Sequence, residues 1–358
     1  MTDQFHLDDI CVAPDVSLMD AIKALTAAAR KIILVVDVER HLLGVVTDYD
    51  VRNAILNHVG FDEPVSAIMK KKPIVASSDA TEAEIVANLK KERVAQLPIT
   101  DKDGTLVDIR FIEDYQHIEE HHSERVAVIM AGGLGTRLRP ATEQVPKPLL
   151  EVDGQPILFI LIDQLLNERF DKIYVTLNYL SEMIIASINA VPRFREKVEF
   201  VIESEAQGTA GSLTLLPDRP ESPFLVINGD LVTNVSLQDM LSHHHAEGNA
   251  VTLATKRHSY DLPYGIADIE GTRILKLREK PSFNYFINTG VYVVEPSVLD
   301  RLPDGKPIDM TDVVQDLLDA DERVGSFAVH EYWIDIGTHD KYEQAQKDYP
   351  IHFPKSGK

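Results

Sequence analysis

The chain has 358 residues, 44% of them hydrophobic, and its 57 acidic and 36 basic side chains give a formal net charge of −21. Because this length exceeds what one hydrophobic core usually covers, we expect at least two domains, and because the charge repels polyanions, we expect neither nucleic acid nor an anionic membrane as a partner. A single cysteine excludes an internal disulfide, and the lack of a long apolar run or a cleavable signal pattern predicts a cytoplasmic protein.

The first third of the chain contains an imperfect internal repeat, with copies at about residues 9–57 and 65–114. Each copy passes from a short polar start into an amphipathic helix and then into two strands. We therefore expect a first α/β domain over residues 1–116. The predicted strands lie at 32–36 and 43–46 in the first copy and at 96–99 and 106–109 in the second.

The repeat resembles a tandem pair of cystathionine-β-synthase-type (CBS) motifs, a Bateman module. In that family a Gly-x-x-Thr-x-x-Asp pattern holds an adenosine-type ligand, and Gly44, Thr47 and Asp50 fit it. An aspartate can accept both ribose hydroxyls, and a threonine hydroxyl can bond phosphate or ribose. The second copy has Asp108 and Phe111 instead of the glycine and threonine, so we expect at most one adenine-nucleotide site. Thr47 and Asp50 could instead merely cap the next helix, and such modules often serve to dimerise a protein, which implies a homo-oligomer.

Residues 117–124 are polar, charged and free of core periodicity, which predicts a linker. Its three histidines, His117, His121 and His122, could be read as metal ligands, but histidines on an exposed charged segment are more often simply solvated. The run at 243–245 closes a predicted helix, where imidazoles favour the negative end of the helix dipole, and no second cluster completes a coordination shell. We therefore favour solvated or structural histidines in both places.

An apolar run at 126–130 predicts a buried parallel strand, and the glycines that follow let the backbone turn and bring its N–H groups against phosphate oxygens. Arg137 stands where it can reach those oxygens. Dinucleotide-binding proteins also have a glycine turn after the first strand, but Pro140 stops a long helix from starting at this loop, and Lys147 stands between two prolines that limit its backbone. The pattern favours a nucleoside triphosphate site. The glycines are Gly132, Gly133 and Gly135.

From residue 125 to 350 predicted strands alternate with helices, as in a doubly wound α/β sheet, whose functional loops lie at the carboxyl ends of the strands. Asp230 follows the strand predicted at 224–227, and its carboxylate is a hard oxygen ligand of the kind that magnesium takes, although it could instead cap a helix. Residues 351–358 are predicted to be a tail. The other predicted strands lie at 172–177, 198–202, 250–253 and 291–294, and the helices at 156–166 and 181–189.

The glycine loop with Pro146-Lys-Pro148 resembles the signature of the sugar-1-phosphate nucleotidyltransferases. Further motifs follow in the order that this family has: Gly208-Thr-Ala-Gly211, Asn228-Gly-Asp230, Tyr264-Gly265, Glu279-Lys-Pro281, Asn288-Thr-Gly290 and Trp333-Ile-Asp-Ile-Gly-Thr338. The resemblance implies a Rossmann-like doubly wound nucleotidyltransferase (GT-A-like) domain, preceded by the tandem CBS-motif α/β module. It also implies the reaction, in which a nucleoside triphosphate and a sugar 1-phosphate give a nucleotide sugar and pyrophosphate.

The same resemblance implies roles for individual residues. Catalysis would depend on Arg137, Lys147, Asp230 and Lys280, and the cofactor Mg²⁺ would be held by Asp230 and Asp335. The nucleotide would contact Ala131, Gly132, Gly133, Gly135, Thr136, Glu203, Gly208 and Thr209. The sugar phosphate would contact Gly265, Glu279, Lys280, Asn288 and Thr289. Alternatives remain, because Asp335 could merely stabilise the following turn and Lys280 could be an ordinary surface cation.

Glu203 bears on the choice of nucleobase. It stands just after the strand predicted at 198–202, where thymidylyl- and uridylyl-transferring relatives tend to have a glutamine. Guanine offers two adjacent donors, N1–H and the N2 amine, which one carboxylate can accept together, whereas uracil and thymine offer one donor between two acceptors. The sequence therefore favours GTP over UTP and dTTP, with Glu205 as the other residue that could take this place.

A CBS pair joined to such a catalytic domain also resembles guanylyltransferases that activate an amino sugar phosphate for bacterial nonulosonic (legionaminic-type) acid pathways. Glucosamine 1-phosphate is therefore the leading acceptor, with glucose, mannose or another hexose 1-phosphate as alternatives. A non-catalytic nucleotide-sensing regulator and a Rossmann oxidoreductase are the other classes considered. The charged residues assigned to catalysis and to the metal are all present, which argues against the regulator. Pro140 argues against the oxidoreductase.

Overall fold

The computed structural model describes residues 6–28, 30–92, 94–115, 124–303 and 305–353. The chain forms two compact units, residues 1–121 and 122–358. Within the described ranges, no helix combines the length and the apolar character that a membrane crossing requires. The linker histidines His117, His121 and His122 lie outside these ranges.

The N-terminal unit is built from two copies of one strand and helix pattern. Its strands are β1 (Cys11–Val12), β2 (Ile32–Val36), β3 (Leu42–Thr47), β4 (Ala76–Ser77), β5 (Gln96–Thr100) and β6 (Leu106–Phe111). Its helices are α1 (Leu18–Ala28), α2 (Asp48–Leu56) and α3 (Glu82–Glu92). Short 3₁₀ turns lie at Leu7–Ile10, Val65–Ala67 and Ile112–Tyr115.

The two copies form sheets of the same topology, with strand orders β1-β2-β3 and β4-β5-β6. In each, the short first strand pairs in parallel with the middle strand, which pairs antiparallel with the last. Ile32 and Leu34 of the first copy share a core cluster with Leu106 and Phe111 of the second. The internal repeat is therefore one folded module whose halves share an apolar core, and the second half has a further cluster of its own around Leu89 and Leu97.

The C-terminal unit has longer strands and more helices. Its strands are β7 (Val126–Met130), β8 (Glu151–Val152), β9 (Gln155–Pro156), β10 (Lys172–Leu177), β11 (Val198–Ile202), β12 (Phe224–Asn228), β13 (Leu231–Thr233), β14 (Val251–Asp261), β15 (Ile266–Glu270), β16 (Arg273–Arg278), β17 (Ser282–Val294), β18 (Val324–Val329) and β19 (Trp333–Asp335). Its helices are α4 (Ile157–Asn167), α5 (Ser181–Asn189), α6 (Pro192–Arg195), α7 (Gly208–Gly211), α8 (Leu237–Glu247), α9 (Met310–Asp319) and α10 (His339–His352). Its 3₁₀ turns are Thr136–Leu138, Lys147–Leu149, Ser212–Leu215 and Pro296–Arg301.

The main sheet of this unit has the strand order β11-β10-β7-β12-β17-β14-β18. The first four strands are parallel, and β17 runs antiparallel to both of its neighbours. Successive residues of β7 enter different core clusters, with Ala127 and Ile129 in one and Val126 and Val128 in the other. Helices cover both faces, as a strand that is apolar at every position requires. The predicted doubly wound α/β domain preceded by an α/β module with an internal repeat is confirmed.

Two features of this unit differ from the predicted elements. The strands predicted at 250–253 and 291–294 extend into the long pair β14 and β17, which carries the separate hairpin β15-β16 at its far end. The hairpin lacks the periodicity of a buried face because most of its side chains are exposed, Leu277 among them. The final helix α10 continues through Pro350 to His352, so the first two residues of the predicted tail are helical.

Candidate active site

The glycine loop leaves the carboxyl end of β7 and forms one wall of a cavity of about 330 Å³. Gly135 has a φ of +61°, a left-handed conformation that favours glycine, and it precedes the turn Thr136–Leu138. A Cβ at Gly135 would lie 3.1 Å from the Cβ of Lys147, so the absence of a side chain also permits that lysine to approach. Residues that line the cavity include Ala131, Thr136, Arg137, Lys147, Asp230 and Gly337.

Lys147 places a cation against two carboxylates. Pro146 and Pro148 flank it at the start of the turn Lys147–Leu149, and its side chain is buried. Its Nζ forms an ion pair with Asp230 and lies 4.0 Å from Oδ1 of Asp335. The structure therefore brings together three residues that are far apart in sequence and that the sequence had assigned to one site.

Asp230 and Asp335 meet because β13 and β19 pair as antiparallel strands, with Leu231 opposite Asp335. The backbone N–H of Ile336 donates to the carbonyl oxygen of Asp230 over 3.0 Å, which fixes the two segments beside each other. Burial, and next the negative charge of Asp230, raise the pKa of Asp335. Within the described residues, Oδ1 of Asp335 is buried and accepts no hydrogen bond. This donor set fits a hard divalent cation. Such a cation would reduce the repulsion between the two carboxylates and would give Oδ1 of Asp335 a partner.

Glu203 lies under the glycine loop. A Cβ at Gly132 would be 3.0 Å from Glu203 Oε1, and Oε2 accepts a hydrogen bond from the backbone N–H of Gln207 at 3.0 Å. Burial raises the pKa of the Glu203 carboxyl. Glu205, by contrast, is exposed, so Glu203 is the carboxylate that faces the loop.

A second cavity, of about 300 Å³, opens beside the first. Asp335 lines it, as do Thr209, Asn228, Asn288, Thr289, Tyr292 and Trp333. Asp230 lines the first cavity and Asp335 the second, and Lys147 Nζ contacts Asp230 and approaches Asp335. The two cavities therefore meet at this pair of aspartates.

In the Asn288-Thr-Gly290 motif, the side chains of Asn288 and Thr289 form hydrogen bonds within the wall of the second cavity. Asn288 donates to the hydroxyl of Tyr292 at 2.6 Å and accepts from the N–H of Gly290 at 3.0 Å. The hydroxyl of Thr289 donates to the carbonyl oxygen of Ala254 at 2.8 Å. Tyr292, which no sequence motif had marked, is thus oriented by Asn288, and its hydroxyl can still donate its own proton.

The other residues that were predicted to contact a substrate lie in different parts of the site. Thr209 lines the second cavity rather than the first, and both its N–H and its hydroxyl donate to Asp309. Gly265 allows the close approach of Glu279, because a Cβ there would lie 2.8 Å from Glu279 Oε2. Glu279 and Lys280 are exposed at the base of the hairpin β15-β16, outside the lining of both cavities.

Of the histidines at 243–245, His244 and His245 lie in the last turn of α8, and Gly248 caps the helix in a left-handed conformation. His244 is buried, with Nδ1 2.9 Å from the hydroxyl of Thr252 and Nε2 3.3 Å from Glu295. Burial lowers the pKa of His244, so this residue acts as a neutral, hydrogen-bonded core group rather than as a cation at the helix end.

In the N-terminal unit, Thr47 and Asp50 form the N-terminal cap of α2. Both the N–H and the hydroxyl of Thr47 donate to Asp50 Oδ2, at 2.8 and 2.7 Å. A Cβ at Gly44 would lie 2.8 Å from the carbonyl oxygen of Lys70, which explains the glycine of the Gly-x-x-Thr-x-x-Asp pattern by backbone packing. The capping hydrogen bonds involve the same two side chains that the sequence pattern had assigned to a nucleotide.

Comparison with known proteins gives results for both units. A family model described as nucleotidyl transferase matches residues 126–351, and one described as CBS domain matches residues 1–57 and 65–109. The mannose-1-phosphate guanyltransferase of Schizosaccharomyces pombe is 31% identical over 225 residues, which cover 60% of this chain and 62% of that protein. That of Saccharomyces cerevisiae is 31% identical over 219 residues, or 59% and 60% of the two chains. The chain thus spans about three fifths of the length of these relatives.

Among solved structures, HddC from Yersinia pseudotuberculosis is similar over 63% of this chain and 99% of its own. The identity is 28% and the TM-score 0.51. A structure of HddC complexed with GMP-PN aligns over the same shares of the two chains, with 27% identity and a TM-score of 0.51.

Proposed function

The chain belongs to the nucleotidyl transferase family, and from this premise we propose that it transfers a nucleoside monophosphate, GMP in preference, from a nucleoside triphosphate to a sugar 1-phosphate. The observation that carries the proposal is the meeting of two cavities at Asp230, Asp335 and Lys147. One cavity has the glycine loop and Arg137 of a triphosphate site, and the other is lined by hydroxyl, amide and indole groups that suit a sugar.

The proposed reaction needs no nucleophile from the protein. A phosphate oxygen of the sugar 1-phosphate forms a bond to the α-phosphorus, the bond from that phosphorus to the bridging oxygen of the β-phosphate breaks, and pyrophosphate leaves with the electron pair. Both reactants are anions, so the protein must position them and neutralise their charge. Arg137 and the loop amides would bind the β- and γ-phosphates, and Lys147 would stand beside the α-phosphate, where the cavities meet.

Asp230 and Asp335 would hold a magnesium ion, which when bound would supply positive charge to offset the negative charge of the phosphates. The unpaired Oδ1 of Asp335 and its repulsion by Asp230 support this assignment. Lys147 would keep the pair of carboxylates together and reduce their repulsion when no metal is present. Lys280 and Glu279 lie at the base of a hairpin, where they would reach a sugar phosphate from outside the second cavity.

GTP is the favoured donor because Glu203 lies buried under the glycine loop, with Oε1 directed toward Gly132. The similarity to proteins named mannose-1-phosphate guanyltransferases and to HddC complexed with GMP-PN supports the same base. For the acceptor we propose glucosamine 1-phosphate, in bacterial nonulosonic acid or another surface-glycan pathway. Mannose 1-phosphate is the alternative that the named relatives favour.

The direct test supplies the purified protein and magnesium with each of GTP, UTP, dTTP, CTP and ATP, against a panel of hexose and hexosamine 1-phosphates. Pyrophosphate release and the mass of the product are measured. A GDP-sugar would support the proposal, and a UDP- or dTDP-sugar would overturn the assignment of the base alone. Folded protein that forms no product with any pair would favour a non-catalytic, nucleotide-sensing regulator.

Replacing Glu203 by glutamine is expected to lower kcat/KM for GTP about 100-fold, because an amide cannot accept from both guanine donors. Glutamine keeps an acceptor for the Gln207 N–H and so preserves the fold locally. The raised pKa of Glu203 means that this carboxylate is protonated at a higher pH than an ordinary one, so the KM for GTP should rise on mild acidification in the parent protein. Glu203→Gln should lack that rise, and Glu205→Gln, which alters an exposed neighbour, should behave like the parent.

For the CBS module we propose an adenine nucleotide at Thr47 and Asp50, and a homo-oligomer formed through this module. Calorimetric titration with AMP and ATP is expected to show one site per chain. The variant Asp50→Asn keeps a capping side chain but removes the charge that the ribose hydroxyls would face, and it should weaken binding about tenfold. Equal affinity in the variant, or no heat of binding in the parent, would leave capping as the role of these residues.

A further inference from the structure

The hairpin β15-β16 exposes apolar side chains along one face. Ala267 of β15 is directly opposite Leu277 of β16, so these two side chains lie on the same face. Ile269 is two residues further along β15, on the same side of that strand. All three residues are exposed, Leu277 to 71%. This face of the hairpin is therefore apolar and open to solvent.

The opposite face of the hairpin is partly buried and contains charged groups. Ile266 and Arg278 are opposite each other on that face, and the guanidinium of Arg278 donates to Asp268 at 2.9 Å. A hairpin with one solvated face ordinarily buries its apolar side chains and leaves its charged side chains in water. This hairpin has the reverse arrangement, and a two-stranded sheet is only marginally stable on its own. Its apolar face is therefore suited to being covered by another molecule.

The exposed apolar surface around this hairpin is large enough for a stable interface. Of the large hydrophobic residues that are exposed in the described ranges, eight lie between residues 260 and 285, with Tyr264 and Leu277 the most exposed. Together these eight residues present on the order of 1,000 Å² of surface to solvent. A stable interface buries about 800 Å² on each partner, whereas single exposed hydrophobic residues are common on any protein surface. The clustering therefore marks an interaction surface.

The charge of this region favours a second copy of the chain as the partner. Residues 260–285 contain four acidic and four basic side chains, so the region is neutral, whereas the whole chain has a net charge of −21. Two copies of such a chain repel each other over most of their surfaces, and the repulsion is smallest where two neutral regions meet. The same apolar face on each copy also provides the self-complementary contact that a twofold symmetric dimer requires.

We propose that two copies of the chain associate by packing these hairpin faces together, in an interface separate from the association proposed for the CBS module. The base of the same hairpin carries Glu279 and Lys280, which are exposed outside the lining of both cavities. A partner that holds the hairpin would also restrict the positions of these two residues. That consequence for sugar phosphate binding rests on the proposed function, whereas the association itself does not.

Analytical ultracentrifugation of the full chain tests the association. In Leu277→Arg a charge enters the apolar contact, so the average mass should fall to half that of the parent at the same concentration, with the association constant at least about tenfold lower. Ile269→Arg should have the same effect. Leu318→Arg, which alters a comparably exposed leucine of α9, should match the parent. Circular dichroism checks that each variant is folded.

Hydrogen–deuterium exchange then locates the interface. Backbone amides of β15 and β16 should exchange more slowly in the parent at high concentration than in either hairpin variant. A monomeric parent, an unchanged mass in Leu277→Arg or an equal effect of Leu318→Arg would overturn the proposal. None of these measurements needs turnover, so the association can be established even if the proposed reaction fails. A monomeric parent that forms a GDP-sugar would support the reaction and overturn the association.

Discussion

Asp230→Asn is expected to lower kcat for nucleotidyl transfer at least about 1,000-fold, a larger loss than removal of a single neutral hydrogen bond usually gives. The amide has nearly the size of the carboxylate, but it removes the negative charge that the proposed metal and Lys147 both contact. The measurement is single-turnover formation of the nucleotide sugar at saturating magnesium. The KM for GTP should change much less than kcat, because the loss concerns charge that develops as the phosphates react.

Asp218→Asn supplies a matched control for this variant. Asp218 also pairs with a lysine, Lys172. That lysine is the first residue of β10. Loss of the Asp218 charge should leave turnover unchanged. If Asp230→Asn retained activity within tenfold of the parent, Asp230 would be a structural residue and the proposed metal site would be wrong.

The second large effect is expected from Lys147→Met, which keeps the length of the side chain and removes its charge. We expect kcat to fall about 100- to 1,000-fold, because the reacting phosphates lose the fixed cation beside them. The variant also leaves Asp230 and Asp335 facing each other without the ammonium between them. Chemical unfolding should therefore show lower stability in the absence of magnesium and a larger stabilisation on adding it.

Lys172→Met is the corresponding control, since Lys172 lies between Asp218 and Glu199 at a distance from either cavity lining. It should lose stability at most and keep the turnover of the parent. A Lys147→Met protein with normal kcat and a raised KM for GTP would show that Lys147 binds the ground state, not the transition state.

Local sequence patterns were sufficient to locate the glycine-loop side of the candidate site. The apolar strand β7, the glycines after it and the carboxylate after β12 are each encoded by neighbouring residues, so the chain's periodicity and turn residues reveal them. The approach of Asp335 to Asp230 is not local. It depends on the antiparallel contact of β13 and β19, which no short pattern specifies.

The second cavity was predicted less completely. Asn288 and Thr289, which were assigned to the sugar, line this cavity and also bond Tyr292 and a backbone carbonyl, whereas Tyr292 and Trp333 in the same lining were given no role. The apolar run at the end of β17 marks Tyr292 as buried, but burial alone does not reveal that a hydroxyl faces a cavity. The hairpin β15-β16 escaped prediction because its side chains are exposed and so lack the pattern that a core imposes.

The pairing of β13 with β19 has a consequence for how the protein is made. Leu231 and Asp335 are opposite each other although more than a hundred residues separate them in the chain. During synthesis the parallel strands and Asp230 emerge well before Asp335, so an incomplete chain has the phosphate loop but lacks half of the carboxylate pair. A chain that ends ahead of Trp333 would therefore lack Asp335, and we expect it to catalyse no nucleotidyl transfer.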